Sequence, residues 1–282
     1  MKKHHTIQPE DLRRFSCHLR ELEYAPGSME KYLRDLSAFE QWLAGSPVTQ
    51  ESLVAWKERL RARGCCPATI NAKLSALNRF FAFQGWTGLR ARYYRVQRRF
   101  FRSGERELTR EDYAKLLSEA EKLGKTRLAL LMETICATGI RVSEVRYITL
   151  EALGAGRAEI SLKGKVRTIL IPGKLCRKLE RYAKKQGITA GEVFLTRRGK
   201  GLSRRQIWAE MKALCARAGV AASKVFPHNL RHLFARTFYR ACRDVVQLAD
   251  VLGHSSIETT RIYLISTGAS HTRHLERLGL IL

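Results

Sequence analysis

Thr138-Gly139-Ile140-Arg141-Val142-Ser143-Glu144 closes the most apolar run of the chain, Leu128 to Ile140, which is interrupted by Glu133. Gly139 suits the positive φ that ends a helix, and Arg141 falls where the next segment begins. An arginine at such a junction can aim two N–H groups at one phosphate. Read alone, it is equally a surface arginine. Glu144, three residues on, either orients Arg141 through an ion pair or is a simple helix-face acid.

Further along stands His228-Asn229-Leu230-Arg231-His232, with Pro227 just before it, as expected at a helix start. His228 and Arg231 are spaced i, i+3 and share a face. A helix N-terminus carrying both favours an anion. Alone, the pair reads as a capping histidine and a solvent arginine, and His232 as a supporting or packed ring. Leu252-Gly253-His254 ends another helix, Ser255 and Glu258 form a capping box for the next, and Tyr263 lies nine positions after His254. A lone tyrosine there is ordinarily a half-buried ring. Taken together, two arginines, two histidines and a phenol are poor core material and a good set for a phosphodiester. The arginines hold its charge, the histidines hydrogen-bond and move protons, and the phenol attacks.

The bulk composition points the same way. Of 282 residues, 52 are Lys or Arg against 26 Asp or Glu, a net charge of +26. Such an excess implies a polyanionic partner, nucleic acid first and an anionic membrane surface second. The length suits two domains, and 45% hydrophobic residues can build real cores. No run of eighteen apolar residues is present to span a bilayer. The start, Met1-Lys2-Lys3-His4-His5, runs into polar residues, so a secretory signal is not expected and the cytoplasm is. The seven cysteines, Cys17, Cys65, Cys66, Cys136, Cys176, Cys215 and Cys242, form no C-x-x-C pair. They read as small core residues in a reducing compartment, with no metal site.

Periodicity predicts four helices before residue 90: within Thr6 to Tyr24, from Met29 to Ala44 capped by Ser28, from Thr49, and from Pro67. They suggest a compact bundle. Arg90, Arg92, Arg95, Arg98, Arg99, Arg102 and Arg106 then crowd a stretch interleaved with Tyr93, Tyr94, Phe100 and Phe101. It reads as a solvated linker or, with this charge, as one that tracks a DNA backbone. A second unit begins at Leu108-Thr109-Arg110-Glu111-Asp112. Helices are predicted near 110–122, 126–138, 173–186, 203–218, 228–241, 244–252 and 256–264. Ala158 to Leu162 and Arg167 to Ile171 form a hairpin with a basic tip at Lys163-Gly164-Lys165.

The Thr-Gly-Ile-Arg box, the His-Asn-Leu-Arg-His box, and Leu-Gly-His followed by Tyr263 resemble the signature of the tyrosine recombinase family, of Xer and phage-integrase type. The resemblance is close over roughly 108–270. Over the first hundred residues it extends to size and helical pattern. It implies a mainly α fold with a small β-sheet: a helical, SAM-like core-binding bundle over 1–88, a basic interdomain linker over 89–107, and a mixed α/β catalytic domain over 108–282. It implies that Arg141 and Arg231 hold the scissile phosphate, His228 assists proton transfer, His254 hydrogen-bonds a non-bridging oxygen and Tyr263 is the nucleophile. The hairpin lysine matches Lys163, although the tip is one residue shorter than the family's, which leaves Lys165 as the alternative. Glu144 and His232 support the site.

The implied chemistry is site-specific cutting and rejoining of duplex DNA through a 3′-phosphotyrosine, with no cofactor, metal or ATP. A lysine protonates the leaving 5′-oxygen, and bond energy is retained in the intermediate. The implied assembly is a tetramer on DNA, with the apolar tail (Leu275, Leu278, Leu280, Ile281, Leu282) docked into a neighbouring protomer. A mobile-element integrase and a chromosome-dimer resolvase both fit. The rivals are a type IB topoisomerase, which relaxes supercoils by the same chemistry, and a catalytically silent DNA-binding regulator on the same scaffold.

Overall fold

The computed structural model describes residues 5–96, 106–162, 165–254 and 256–264. The chain divides into two compact units, residues 1–98 and 99–282.

The first unit is four helices: α1 (Pro9–Glu21), α2 (Pro26–Leu43), α3 (Gln50–Ala62) and α4 (Pro67–Phe83). Three of them begin with proline in the first turn, where its missing N–H costs nothing and its fixed φ suits the helix. This corrects one expectation. Pro26 opens α2 behind Ala25, so Ser28 lies inside the helix instead of capping it. Thr49 caps α3 as expected, accepting from the Ser52 amide at 3.1 Å. Apolar residues at helical spacing meet in one core, with Phe15, Leu36, Phe39, Leu74 and Phe80 fully buried. Phe15 and Phe80 pack edge to face at 5.4 Å.

After α4 the backbone is held by side chains. Asn78 both accepts from the Ala91 amide (2.8 Å) and donates to its carbonyl (2.9 Å). Asn71, two turns earlier, does the same to Tyr94 at 2.8 and 2.9 Å. Lys57 adds a bond to the Arg92 carbonyl at 2.8 Å. The first part of the expected linker is therefore strapped onto the bundle. Arg90, Arg92 and Arg95 are all exposed there.

The second unit runs α5 (Arg110–Lys122), α6 (Thr126–Thr138), a 3-10 turn (Val142–Tyr147), α7 (Leu150–Ala155), β1 (Arg157–Leu162), β2 (Lys165–Leu170), α8 (Gly173–Lys185), α9 (Arg204–Lys212), α10 (Pro227–Cys242), α11 (Val245–Leu252) and α12 (Ile257–Leu264). The periodic reading missed α7 and the 3-10 turn, both too short to show a period. The strands pair antiparallel, Arg157 with Leu170 through Leu162 with Lys165. Helix α6 is the central element, packed by α5, α8, α9 and α10, which explains why its sequence is apolar almost all round. Gly139 ends it at φ 65, as its position required. Helix α10 packs on α6 and also against α11 and α12. Cys176 and Cys215 are core residues, but Cys17, Cys66 and Cys242 are exposed, so small apolar packing accounts for only part of the cysteine set. No described helix is long and apolar enough to cross a membrane.

Candidate active site

Arg231 sits one turn into α10 and is 2% exposed. Its guanidinium donates to the Gly139 carbonyl at 2.5 Å and to the Leu252 carbonyl at 2.9 Å. These oxygens lie at the C-terminal ends of α6 and α11, where helices leave carbonyls unpaired and concentrate negative potential. One buried cation thus closes two helix ends. Burial pushes its pKa below the usual arginine value, and the Tyr263 hydroxyl beside it works in the opposite direction.

The same side chain also faces Tyr263 and His254. Its Nε donates to the Tyr263 hydroxyl oxygen at 3.3 Å, and its Nη2 lies 2.8 Å from His254 Nε2. A guanidinium can only donate, so Nε2 of His254 accepts and the ring proton resides on Nδ1. That Nδ1–H reaches Thr260 Oγ1 at 2.8 Å. Burial, then the cations Arg231, Arg141 and Arg167, push the His254 pKa down to about 4, so the ring is neutral at physiological pH.

Tyr263 is 6% exposed and packs within a frame of imidazoles. His254 stacks on it at 5.6 Å with planes 13° apart, His232 lies at 4.3 Å and His228 at 5.9 Å. Ala235, Leu248 and Leu252 form the apolar cluster around the ring. The hydroxyl is turned to Arg231, the apolar body to the α10–α11 layer.

Arg141 caps the 3-10 turn. Its backbone amide donates to Glu144 Oε2 and its Nη1 to Oε1, both at 2.7 Å. The carboxylate is 1% exposed, whereas the Arg141 side chain is 42% exposed. Glu144 therefore orients Arg141 through an ion pair, while the guanidinium stays open to a ligand. A third cation joins them. Arg167, on β2, donates to both Glu144 oxygens at 3.3 Å and to the Val251 carbonyl at 2.8 Å. Burial pushes its pKa down to about 10, which still leaves it charged at neutral pH. With Arg141 and Arg167 on the one carboxylate and Arg231 nearby, the site keeps an excess of positive charge, suited to a polyanion.

The profile described as "Phage integrase family" matches residues 106–269, and that of the "Phage integrase, N-terminal SAM-like domain" matches residues 12–88. The chain belongs to the phage integrase family, the tyrosine recombinases. Curated relatives agree. Tyrosine recombinase XerA of Pyrococcus furiosus is 28% identical over 98% of this chain and 96% of its own length. Tyrosine recombinase XerD of Brucella melitensis is 30% identical over 85% of this chain and 86% of its own. A crystal structure of a lambda integrase dimer bound to a COC′ core site shares the fold, with a TM-score of 0.72 at 19% identity over 92% of this chain and 77% of that one. A lambda integrase tetramer bound to a Holliday junction gives a TM-score of 0.73 at 19% identity over 90% and 76%.

In this tyrosine recombinase, Arg231, His254 and Tyr263 stand in direct contact, with His228 and His232 against the tyrosine ring. Arg141 and Glu144 form the adjoining pair. Lys163, Ser255, the linker residues Arg98, Arg99 and Arg102, and the tail from 265 onward lie outside the described residues. Lys165 opens β2 opposite Leu162, and its side chain is likewise not described. Among the described residues no group of three His, Cys, Asp or Glu is placed to hold a metal. Two residues escaped the sequence reading. Thr260 precedes Tyr263 by three, one helical turn, and Arg167 follows Lys165 by two, the strand period. Those spacings were the available signals.

Proposed function

We propose that this tyrosine recombinase cuts and rejoins duplex DNA at specific sites through a 3′-phosphotyrosine on Tyr263. The observation that carries the reading is the contact of the Tyr263 hydroxyl with Arg231 Nε, beside the neutral His254 ring. Arg141 and Arg231 hold the scissile phosphate. Its oxygens take over N–H groups that in the DNA-free chain face Tyr263 and His254. As the phenolic oxygen attacks phosphorus, its proton passes to His228, at the N-terminal turn of α10. Charge grows on the equatorial oxygens of the pentavalent state, where two preorganised guanidiniums stabilise it, joined by His254 once the phosphate has drawn a proton onto its Nε2. The leaving 5′-oxygen takes a proton from Lys163. The phosphotyrosine conserves the bond energy, and attack by a 5′-hydroxyl reverses the sequence and reseals the strand, with no nucleotide consumed. The guanidiniums supply the positive charge that phosphoryl transfer demands, so the proposal includes no metal.

Assembly as a tetramer on the recombination site follows the same reading, as in the lambda integrase tetramer on its junction. The basic residues Arg90, Arg92 and Arg95 contribute phosphate contacts from the strapped segment.

A nicked duplex carrying the target site tests the reading, since loss of the short leaving strand traps the covalent complex. The native chain forms a protein–DNA adduct that resists denaturation, and Tyr263→Phe forms none. An adduct that persists in Tyr263→Phe overturns the assignment. Relaxation of supercoiled plasmid at random sites, without strand exchange between two target sites, would replace recombination with topoisomerase activity.

A further inference from the structure

Two guanidiniums reach adjacent carbonyls in the last turn of α11: Arg167 takes that of Val251, and Arg231 takes that of Leu252. At the other end each reaches the α6 junction. Arg231 bonds the Gly139 carbonyl, and Arg167 bonds both oxygens of Glu144, the carboxylate that fixes the Arg141 amide and guanidinium. The two form parallel struts between the segment that presents Arg141 and the turn that presents His254. The second strut comes from the β-hairpin, which the catalytic set otherwise enters only through its tip.

The packing shows how closely the strut is fitted. Gly253 lies at φ 61, and a Cβ there would collide with Cδ and Nε of Arg167. Glycine at 253 thus answers both the left-handed backbone and the passage of this side chain. Arg167 Nε is buried with no hydrogen-bond partner, a cost that a site demanding only positive charge would not impose. A lysine on its flexible stem would deliver charge without it. What lysine lacks is the planar fork that grips a carboxylate and a carbonyl at once.

We propose that Arg167 is a positioning residue of the recombination site, setting the distance and angle between Arg141 and His254 by bridging Glu144 to the end of α11. It acts through those two residues and does not itself touch the DNA. The inference rests on the proposed reading that Arg141 holds the scissile phosphate and His254 stabilises the charge that grows on it.

Arg167→Lys and Arg167→Ala test it in single-turnover cleavage of the nicked duplex. Both variants are expected to bind the duplex as the native chain does and to lose about 10²-fold in cleavage rate, the effect of misplacing a preorganised group by roughly 1 Å. Lysine should not rescue, because the lost element is the fork. Combined with Glu144→Gln, Arg167→Lys should add little further loss, since both act on one bridge. NMR titration of the His254 ring in the DNA-free protein separates placement from folding. Its midpoint is expected to rise in Arg167→Ala, where the nearby cation is gone while Arg141, Arg231 and His228 remain. A native cleavage rate in Arg167→Lys overturns the proposal, as does full additivity with Glu144→Gln. If alanine prevents folding, the lysine variant decides alone. Tyr263→Phe is run in parallel: an adduct formed by it refutes the phosphotyrosine reading, whereas a full rate in Arg167→Lys with no adduct in Tyr263→Phe refutes the strut alone.

Discussion

Arg231 and Tyr263 are joined by a hydrogen bond of 3.3 Å from Nε to the phenolic oxygen, thirty-two residues apart in sequence. The same guanidinium closes the ends of α6 and α11, so the packing of two helices and the proposed chemistry meet in one side chain. Replacing it with lysine keeps the charge but cannot serve Gly139, Leu252, His254 and Tyr263 together. Arg231→Lys is expected to lower unfolding free energy by about 3 kcal/mol, from carbonyls left unpaired in the interior. It should also slow cleavage by about 10²–10³-fold through lost charge stabilisation. Urea unfolding and single-turnover cleavage read the two losses separately.

Gly139 and Gly156 end their helices with the same φ of 65°, yet their surroundings differ. A Cβ at Gly139 would strike the Phe234 ring, whereas Gly156 faces open space. Gly156→Ala should therefore cost only the backbone term, about 1–2 kcal/mol. Gly139→Ala should cost about 1–3 kcal/mol more, because Phe234 must shift. Chemical denaturation of both variants checks the difference. Equal losses would mean that Phe234 yields freely.

How much of this was legible beforehand follows from the type of signal. The helices of the first unit could be read because each carries a full apolar stripe, and the ends of α6 and α11 because glycine marks them. Arg141, His228, Arg231, His254 and Tyr263 could be singled out from their boxes, and the fold gathers Arg231, His228 and His254 around Tyr263. Thr260 and Arg167 offered only a spacing: a hydroxyl on a helix face is ordinary until the turn before it brings the His254 ring to it, and an arginine on a strand until the fold brings partners from far along the chain, Glu144 twenty-three positions from Arg167 and Val251 eighty-four. Asn71 and Asn78 were hidden for the same reason. Their partners lie in a segment without periodicity of its own, and its arginines drew attention to charge, when what fixes it is backbone hydrogen bonding.

That strap gives a direct test. Ala91 is 1% exposed, and both its amide and its carbonyl depend on Asn78. Asn78→Ala should destabilise the first unit by about 1–3 kcal/mol, the cost of leaving buried polar groups unpaired. Asn78→Asp keeps the acceptor for the Ala91 amide but sets a carboxylate against the Ala91 carbonyl, so it should not restore stability. Thermal melting of the three proteins decides this. Exchange of the Ala91 amide with deuterium should accelerate in both variants.

His254 predicts the direction of the acid response. Its pKa in the folded chain is about 4, below the ordinary 6.5, because burial and the surrounding cations oppose a charged ring. Between those values the unfolded chain binds a proton that the folded chain refuses, so stability rises with pH across this interval. The contribution of the neutral ring is complete above about pH 6.5 and disappears as pH falls toward 4. His254→Gln retains hydrogen-bonding capacity without a titrating ring. Its melting temperature should consequently fall less steeply than that of the native chain between pH 6.5 and 4, with the two curves running parallel above pH 7. A phosphate at the site would offset the cations and favour a proton on the ring, so DNA binding should move the His254 titration upward. Parallel melting curves throughout the acid range would show that burial and the cations do not keep the proton off His254, and an unchanged titration in the DNA complex would show that the cations have no part in it.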